Sequence, residues 1–337
     1  MALGSYQEAL KTNPVYAPAH HNIAVIYHKQ GATLKAIASY QRTLKYDPYY
    51  TKAYQNLGNA LINLRFTKPF PNMESSILRL LQYKTLTRPQ DVVVAAISLM
   101  KLRASFKALF SVLEESKVSM LDTLSELSSE ELLLELMYSC VIPDPEIEFL
   151  LTKVREYILL NSSELIDNES ALTFSNALAL QCFTNEYIYS QNDEETHILA
   201  ELAGSVQHNL KEGNQPSPLI VTCLASYKPL YEYSFSELLI VPESLSELNI
   251  RQIVEPREEL SLQSTIPTLG KIDDDVSIKV KDQYEESPYP RWVNASINLL
   301  RRNKGFLILG GTFLPSAIIP VIIASLNQRL NFLPLSL

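Results

Sequence analysis

Glycine and cysteine are both scarce in this chain. Its 337 residues include only 9 glycines, whereas the average usage of about 7% would give roughly two dozen. Folds that cradle nucleotide phosphates or close many β-hairpins need glycine, because those positions require positive φ or close backbone approach. The three cysteines, Cys140, Cys182 and Cys223, are far apart and form no CxxC pair, which argues against a disulfide framework and a zinc site. The sequence therefore predicts a mainly α-helical protein with buried, free thiols.

Clustered positive charge is also missing. The net charge is −8 and no stripe of Lys and Arg is present, so a nucleic-acid partner is not expected. The first residues, MALGSYQEAL, lack the basic and then apolar pattern of a signal peptide. The five histidines are not spaced as ligands of one metal ion, and no GxSxG motif is present. We expect a cytoplasmic protein with no metal site and no catalytic residues of its own.

An internal repeat of 34 residues stands out near the N-terminus. Asn13-Pro14 and Asp47-Pro48 are separated by this period, which is typical of tetratricopeptide repeats. The pattern predicts a first helix at 17–30, a turn at Gly31, a second helix at 34–45 and a third at 52–63. The residues that share a register are Ala2/Ala36, Tyr6/Tyr40, Asn22/Asn56 and Ile23/Leu57. We assign residues 1–64 to these repeats, the first of which is partial.

The repeats predict a surface for a protein or peptide partner. Asn22 and Asn56 are equivalent residues, and an amide side chain both donates and accepts hydrogen bonds to a peptide backbone. Lysines and further amides near them suit an acidic or extended ligand; the alternative is that these are merely solvated polar positions. The predicted peptide-binding residues are His21, Asn22, Lys29, Lys52, Gln55, Asn56, Asn59 and Asn63.

The remainder is predicted to be a helical middle domain at 65–277. Two prolines in RFTKPFPNMES break the repeat pattern at 65–75. Ser128 and Glu131 have the spacing of a capping box, and Asp144-Pro145 predicts a helix start. Further helices are predicted at 91–107, 144–160, 193–211 and 216–227, and strands at 237–243 and 306–311.

Four segments of the second half carry a resemblance to a known family. They are NEYIYS at 185–190, RQIVEPREEL at 251–260, IPTL at 266–269 and VKDQYEESPYPRW at 280–292. They resemble proteins in which tetratricopeptide repeats and a helical region precede a class I S-adenosylmethionine-dependent methyltransferase domain. The resemblance implies a linker at 278–303 and a methyltransferase start at 304–337. It also implies cofactor-binding roles for Tyr284, Tyr289, Arg291, Trp292, Gly310 and Gly311.

The end of the chain departs from the family pattern. FLILGGTFLPSA lacks the spaced glycine of the cofactor loop, and residues 304–337 contain no Asp or Glu to accept the ribose hydroxyls. Only 45 residues follow Trp292, too few for a doubly wound domain of about 150 residues. We therefore expect a repeat-based interaction module that binds no cofactor itself. Two alternatives are an S-adenosylmethionine-dependent methyltransferase fragment that needs its missing catalytic half, and a membrane-anchored adaptor, since residues 306–326 are uncharged.

Overall fold

The computed structural model describes residues 2–83, 86–115 and 119–263, together with 301–303, 306–309 and 312–315. The chain is mainly α-helical, as predicted. Its contacts divide it into two units: one comprises residues 1–60, 82–88 and 294–337, and the other 61–81 and 89–293.

The first unit is built on the repeat helices. They are α1 (Ala2–Thr12), α2 (Ala17–Lys29), α3 (Thr33–Tyr46) and α4 (Thr51–Leu61). Helices α2 and α3 pack as an antiparallel hairpin, and Gly31 between them has a φ of 73°, a conformation that a side chain disfavours. The 34-residue period recurs in backbone detail, because the Oδ1 atoms of Asn13 and Asp47 each accept a hydrogen bond from the backbone amide two residues later, at 3.3 and 3.1 Å. The two turns that precede α2 and α4 are therefore the same structure.

Three short strands also belong to this unit. They are β1 (Arg301–Asn303), β2 (Phe306–Leu309) and β3 (Thr312–Pro315). They form an antiparallel sheet in the order β1-β2-β3, with Asn303 opposite Phe306 and Leu309 opposite Thr312. The strand predicted at 306–311 is thus observed over β2. Gly310 and Gly311 lie outside the described residues.

The second unit is a helical domain arranged around one central helix. Its α-helices are α5 (Met73–Gln82), α6 (Pro89–Met100), α7 (Ala104–Glu115), α8 (Met120–Ser128), α9 (Glu131–Ser139), α10 (Pro145–Leu160), α11 (Glu169–Thr184), α12 (Asp193–Lys211), α13 (Pro218–Ala225), α14 (Ser246–Asn249) and α15 (Glu255–Gln263). Short 3₁₀ turns at Leu230–Glu232 and Glu243–Leu245 and a π-helical turn at Ile250–Val254 complete it. Helix α11 contacts α8, α9, α10, α13 and α14. From Phe174 to Thr184, every side chain except the half-buried Asn176 is buried, which is typical of a core helix.

The structure bears out some predicted helix ends and corrects others. The Asp144 side chain accepts from the Ile147 amide at 3.2 Å and begins α10, and α12 has its predicted bounds. The predicted 91–107 helix is instead broken after Met100, where Lys101 pairs with Asp144 at 2.7 Å and Arg103 with Glu130 at 2.6 Å. No glycine or proline marks that break in the sequence.

Two further predictions are wrong. The Ser128 hydroxyl does not form a capping box with Glu131, because Ser128 is the last residue of α8 and donates to the Ser125 carbonyl at 2.8 Å. The 237–243 segment is not a strand. Its backbone pairs with a side chain instead: Gln215 donates to the Leu238 carbonyl at 3.0 Å and accepts from the Ile240 amide at 2.9 Å.

Gly58 marks a close approach within the first unit. It stands 34 residues after Ala24, and both are buried. A Cβ at Gly58 would collide with the Thr87 hydroxyl and lie 2.6 Å from the Thr87 methyl group. We predict that Gly58→Ala lowers the free energy of unfolding by about 1–3 kcal/mol, measured by chemical denaturation. Gly4→Ala is the control, since nothing lies within 4 Å of a Cβ there; equal stability of the two variants would contradict the prediction.

Candidate functional site

The predicted peptide-binding residues of α4 share one helix face. Lys52, Gln55, Asn56 and Asn59 recur at i, i+3, i+4 and i+7, the spacing of neighbours on a helix surface. Lys52 and Asn59 are exposed, while Gln55 and Asn56 are half-buried. On α2, Asn22 is half-buried and Lys29, seven residues later, is exposed. These six residues, two on α2 and four on α4, are what we call the amide face: Asn22, Lys29, Lys52, Gln55, Asn56 and Asn59.

The amide face has unused hydrogen-bonding capacity. None of its six side chains hydrogen-bonds or ion-pairs with another residue in the described part of the chain. The two asparagines are half-buried and occupy equivalent positions of the repeat. A half-buried amide without a protein partner is a natural contact for a ligand backbone, since it can donate and accept at once.

Charge is distributed unevenly along the sequence. Residues 1–60 contain six Lys or Arg and two Asp or Glu, a formal charge of +4. Residues 61–263 contain 15 basic and 29 acidic side chains, a formal charge of −14. The repeats are thus basic within an acidic chain, and the amide face contributes two lysines and no carboxylate. An acidic ligand is electrostatically favoured at this face.

His21 and Asn63 differ from the other predicted residues. His21 is only 6% exposed, and its ring packs against Tyr40 and Tyr50, with ring centroids 5.8 and 4.9 Å away. It belongs to the repeat core because its face of α2 is the one that meets α3. Asn63 follows the end of α4, and its φ of 56° is a helix-end conformation that asparagine tolerates. Neither residue is part of the amide face.

Burial changes the protonation equilibrium of His21. Its Nδ1 atom is buried with no hydrogen-bond partner among the described residues. Burial, and to a lesser extent the positive charge of Lys52, lowers the pKa of His21 below its usual value. The neighbouring His20 is held differently, because its Nε2–H donates to the Pro14 carbonyl at 2.8 Å and its ring stacks on Tyr46. The folded repeats therefore favour a neutral His21.

A second polar cluster lies buried in the helical domain and includes residues that sequence reasoning did not single out. Arg155 and Glu195 are each 2% exposed, and the guanidinium lies 3.6 Å from the carboxylate. Tyr227 donates to the same carboxylate oxygen at 2.6 Å and stacks on the guanidinium at 4.2 Å. The other Glu195 oxygen accepts from the Asn192 amide at 2.8 Å and completes a capping box at the start of α12.

This buried cluster has no room for a substrate. The small space beside it, lined by Arg155, Ser175, Cys223 and Tyr227 among others, does not admit a water molecule. Burial raises the pKa of Cys182 and Cys223 to about 12, so neither thiol is available as a thiolate nucleophile. Cys140 is also buried and free, as predicted for all three. In the described part of the chain, no group of His, Cys, Asp and Glu could hold a metal ion.

Two of the four segments that carry the family resemblance, 185–190 and 251–260, form hydrogen bonds inside the helical domain. In NEYIYS, the Ser190 carbonyl accepts from Arg155 at 2.6 Å, and the Tyr187 hydroxyl donates to the Ala225 carbonyl at 3.2 Å. In RQIVEPREEL, Arg251 donates to the Tyr138 carbonyl at 2.9 Å, while Gln252 donates to Ala179 and Ala225. The segments at 266–269 and 280–292 lie outside the described residues. So do the predicted cofactor residues Tyr284, Tyr289, Arg291, Trp292, Gly310 and Gly311.

In comparisons with known proteins, no protein-family model matches this chain and no curated protein matches it. Of the helices that the structure describes, none combines the length and hydropathy needed to cross a membrane. The uncharged 306–326 segment begins in β2 and β3 and continues beyond the described part.

The His21 environment predicts a pH-dependent stability. Folding lowers the pKa of His21. The stability of the fold therefore benefits fully from the neutral ring at pH values above the ordinary histidine pKa of about 6.5, and this benefit is lost as the pH falls below that value. We expect the melting temperature, followed by circular dichroism, to fall by a few degrees between about pH 7.5 and pH 5.5. His21→Phe keeps a ring in the stack and should weaken this dependence. His28→Phe, on the same helix, should retain it; identical pH profiles for the two variants would refute the assignment.

The buried ion pair gives a second prediction. Glu195→Gln leaves the Arg155 charge buried without its counter-charge, so we expect a loss of about 3–5 kcal/mol in the free energy of unfolding. Chemical denaturation measures it. Glu194→Gln, the exposed neighbour at the same helix start, should cost no more than about 1 kcal/mol. A small effect at both positions would contradict the prediction, because it would mean that the Arg155–Glu195 pair contributes little to the free energy of unfolding.

Proposed function

We propose that residues 1–64 form a tetratricopeptide-repeat interaction module that binds an acidic, extended peptide on the amide face. The observation that carries the proposal is the equivalence of Asn22 and Asn56: both are half-buried, both occur at the same repeat position, and neither bonds another described residue. A peptide in extended conformation offers a regular series of backbone amides and carbonyls. Amides repeated on the first helices of successive repeats suit such a ligand.

The charge of the repeats supports an acidic partner. Lys29 and Lys52 are exposed and make no ion pair with another described residue, and residues 1–60 carry a formal charge of +4. An exposed lysine gains from a carboxylate brought by a ligand, although salt screens that attraction. The helical domain then serves as a scaffold, and the module acts in the cytoplasm without catalysing a reaction.

The two alternatives stay predictions. A methyltransferase fragment that binds S-adenosylmethionine once its catalytic half is restored depends on the segments from 266 onward. A membrane-anchored adaptor depends on residues 306–326. No observation on the described residues favours either over the interaction module.

Anisotropy titration tests the proposal. The probes are two fluorescein-labelled decapeptides, one of alternating Glu and Ser and one of alternating Lys and Ser, titrated with the full chain. We expect the acidic peptide to bind and the basic one not to bind. The Asn22→Ala/Asn56→Ala variant should bind the acidic peptide about 30-fold more weakly, the effect of losing two hydrogen bonds of about 1 kcal/mol each.

The control separates the amide face from general surface effects. Asn209→Ala removes an exposed amide from α12, in the helical domain, and should leave binding unchanged. Equal binding by the wild-type chain and the double variant would remove the role of the two asparagines. Binding of the basic peptide instead would overturn the acidic assignment.

A further inference from the structure

A short segment of the helical domain has the side-chain pattern of a strand but no neighbouring strand. Residues 238–241, Leu-Leu-Ile-Val, lie outside every helix and strand that the structure describes. Leu238 and Ile240 are 49% and 72% exposed, whereas Leu239 and Val241 are half-buried and pack against the hydrophobic core of the domain. Side chains that alternate between solvent and core are typical of a β-strand. We call residues 238–241 the LLIV segment.

One edge of the LLIV segment is already occupied. The Gln215 side chain donates to the Leu238 carbonyl at 3.0 Å and accepts from the Ile240 amide at 2.9 Å, so a single side chain takes the place of a residue on a neighbouring strand. The next residue on this edge is Pro242, which is extended and has no N–H to donate. Because alternate residues of an extended backbone direct their N–H and C=O groups to opposite edges, Leu239 and Val241 face the other edge.

The other edge of the LLIV segment offers unused hydrogen-bonding groups. The backbone N–H and C=O groups of Leu239 and Val241 make no hydrogen bond with another described residue. A row of unpaired backbone groups on a strand edge is a template for pairing with another strand. Antiparallel pairing would use all of these groups, since two residues in a hydrogen-bonded pair exchange both of their bonds.

Charge determines which strand fits this edge. Glu237 and Glu243 are exposed at the two ends of the LLIV segment, and neither forms an ion pair with another described residue. If two copies of this chain paired here, with Leu239 opposite Val241, the same antiparallel register would bring Glu237 of one copy towards Glu243 of the other. Like charges opposite each other destabilise a strand pair. A strand with a basic residue at each end gains from both carboxylates instead.

We propose that the LLIV segment binds an extended strand of another protein by β-strand addition, on the edge that Leu239 and Val241 form. The incoming strand is apolar at alternate residues, which pack beside Leu238 and Ile240 on the exposed side, and it has Lys or Arg at both ends. Backbone hydrogen bonds supply the affinity, and the alternate side chains supply the specificity. This binding surface belongs to the helical domain and does not depend on the function proposed for the repeats.

The probe is the fluorescein-labelled peptide Lys-Val-Thr-Val-Thr-Val-Lys, titrated with the full chain by anisotropy. We expect saturable binding. The same peptide with N-methyl groups on all residues between its two lysines should bind about tenfold or more weakly, because its amides cannot donate to the Leu239 and Val241 carbonyls. Failure of the unmethylated peptide to bind would overturn the proposal, and so would equal binding of the two peptides.

A backbone variant locates the binding edge on the chain. Val241→Pro removes one N–H group of this edge and should weaken binding of the unmethylated peptide by about fivefold or more. Val241→Thr keeps the N–H group and the branched shape and should bind normally. If Val241→Pro lowers the melting temperature, the methylated peptide still tests the same hydrogen bonds on the unaltered chain. Concentration-dependent dimers of the wild-type chain that Val241→Pro abolishes, seen by analytical ultracentrifugation, would overturn the proposal in favour of a second copy.

A charge reversal tests the basic ends of the partner. Glu237→Lys/Glu243→Lys changes two exposed side chains and should reverse the preference of the chain, so that a peptide with Glu in place of both lysines binds better than the original. Glu126→Lys/Glu164→Lys makes the same charge change at exposed positions elsewhere in the helical domain and should keep the original preference. Equal behaviour of these two variants would overturn the charge assignment. The Asn22→Ala/Asn56→Ala variant should bind normally, so this test is independent of the amide face.

Discussion

Helices that end inside a protein core leave backbone carbonyls that must find donors, and the helical domain of this chain depends on how it meets that constraint. A glycine in left-handed conformation is the common solution at a helix end, but of the glycines in the described part of the chain only Gly31 and Gly213 have positive φ. Side chains supply the donors instead. Arg251 reaches the end of α9 at the Tyr138 carbonyl, and Gln252 and Tyr187 both reach the end of α13 at the Ala225 carbonyl. At these helix ends, long polar side chains that point inward therefore satisfy carbonyls that a C-terminal glycine motif would otherwise satisfy.

The central helix α11 illustrates the same constraint at its own end. Glu186 and Tyr187 follow it with φ values of 57° and 55°, a conformation that costs roughly 1–2 kcal/mol for a residue with a side chain. The Tyr187 amide donates to the Cys182 carbonyl at 2.8 Å, and the Tyr187 hydroxyl anchors α13. Backbone strain at this turn is offset by two hydrogen bonds from one residue. Arg155 then donates to the Ser190 carbonyl, so the whole NEYIYS segment is fixed from several sides.

The sequence predicted best what local periodicity and turn chemistry control. The 34-residue period, the Asp144 cap and the bounds of α12 all follow from short-range rules, and they agree with the structure. Helix α11 gave no periodic signal, because its buried residues lie on all of its sides from Phe174 onward and so its apolar residues do not fall on one face. The 237–243 segment has the composition of a strand, yet the Gln215 amide, more than 20 residues away, occupies the position of a strand partner. Long-range partners of this kind cannot be read from a single window of sequence.

The candidate site follows the same division. Asn22 and Asn56 could be predicted because they occupy the same position of the 34-residue period, and the lysines because they lie near them on the same helices. The burial of His21 could not, since its i+34 equivalent, Gln55, is half-exposed and only the packing of Tyr40 and Tyr50 around the ring decides the matter. Helices α1 and α3 make the argument general. They share a register of alanine, tyrosine and leucine, but these residues are buried in α3 and only half-buried or exposed in α1. Local sequence determines which face of a helix is apolar, whereas the presence of a neighbouring helix determines whether that face leaves water.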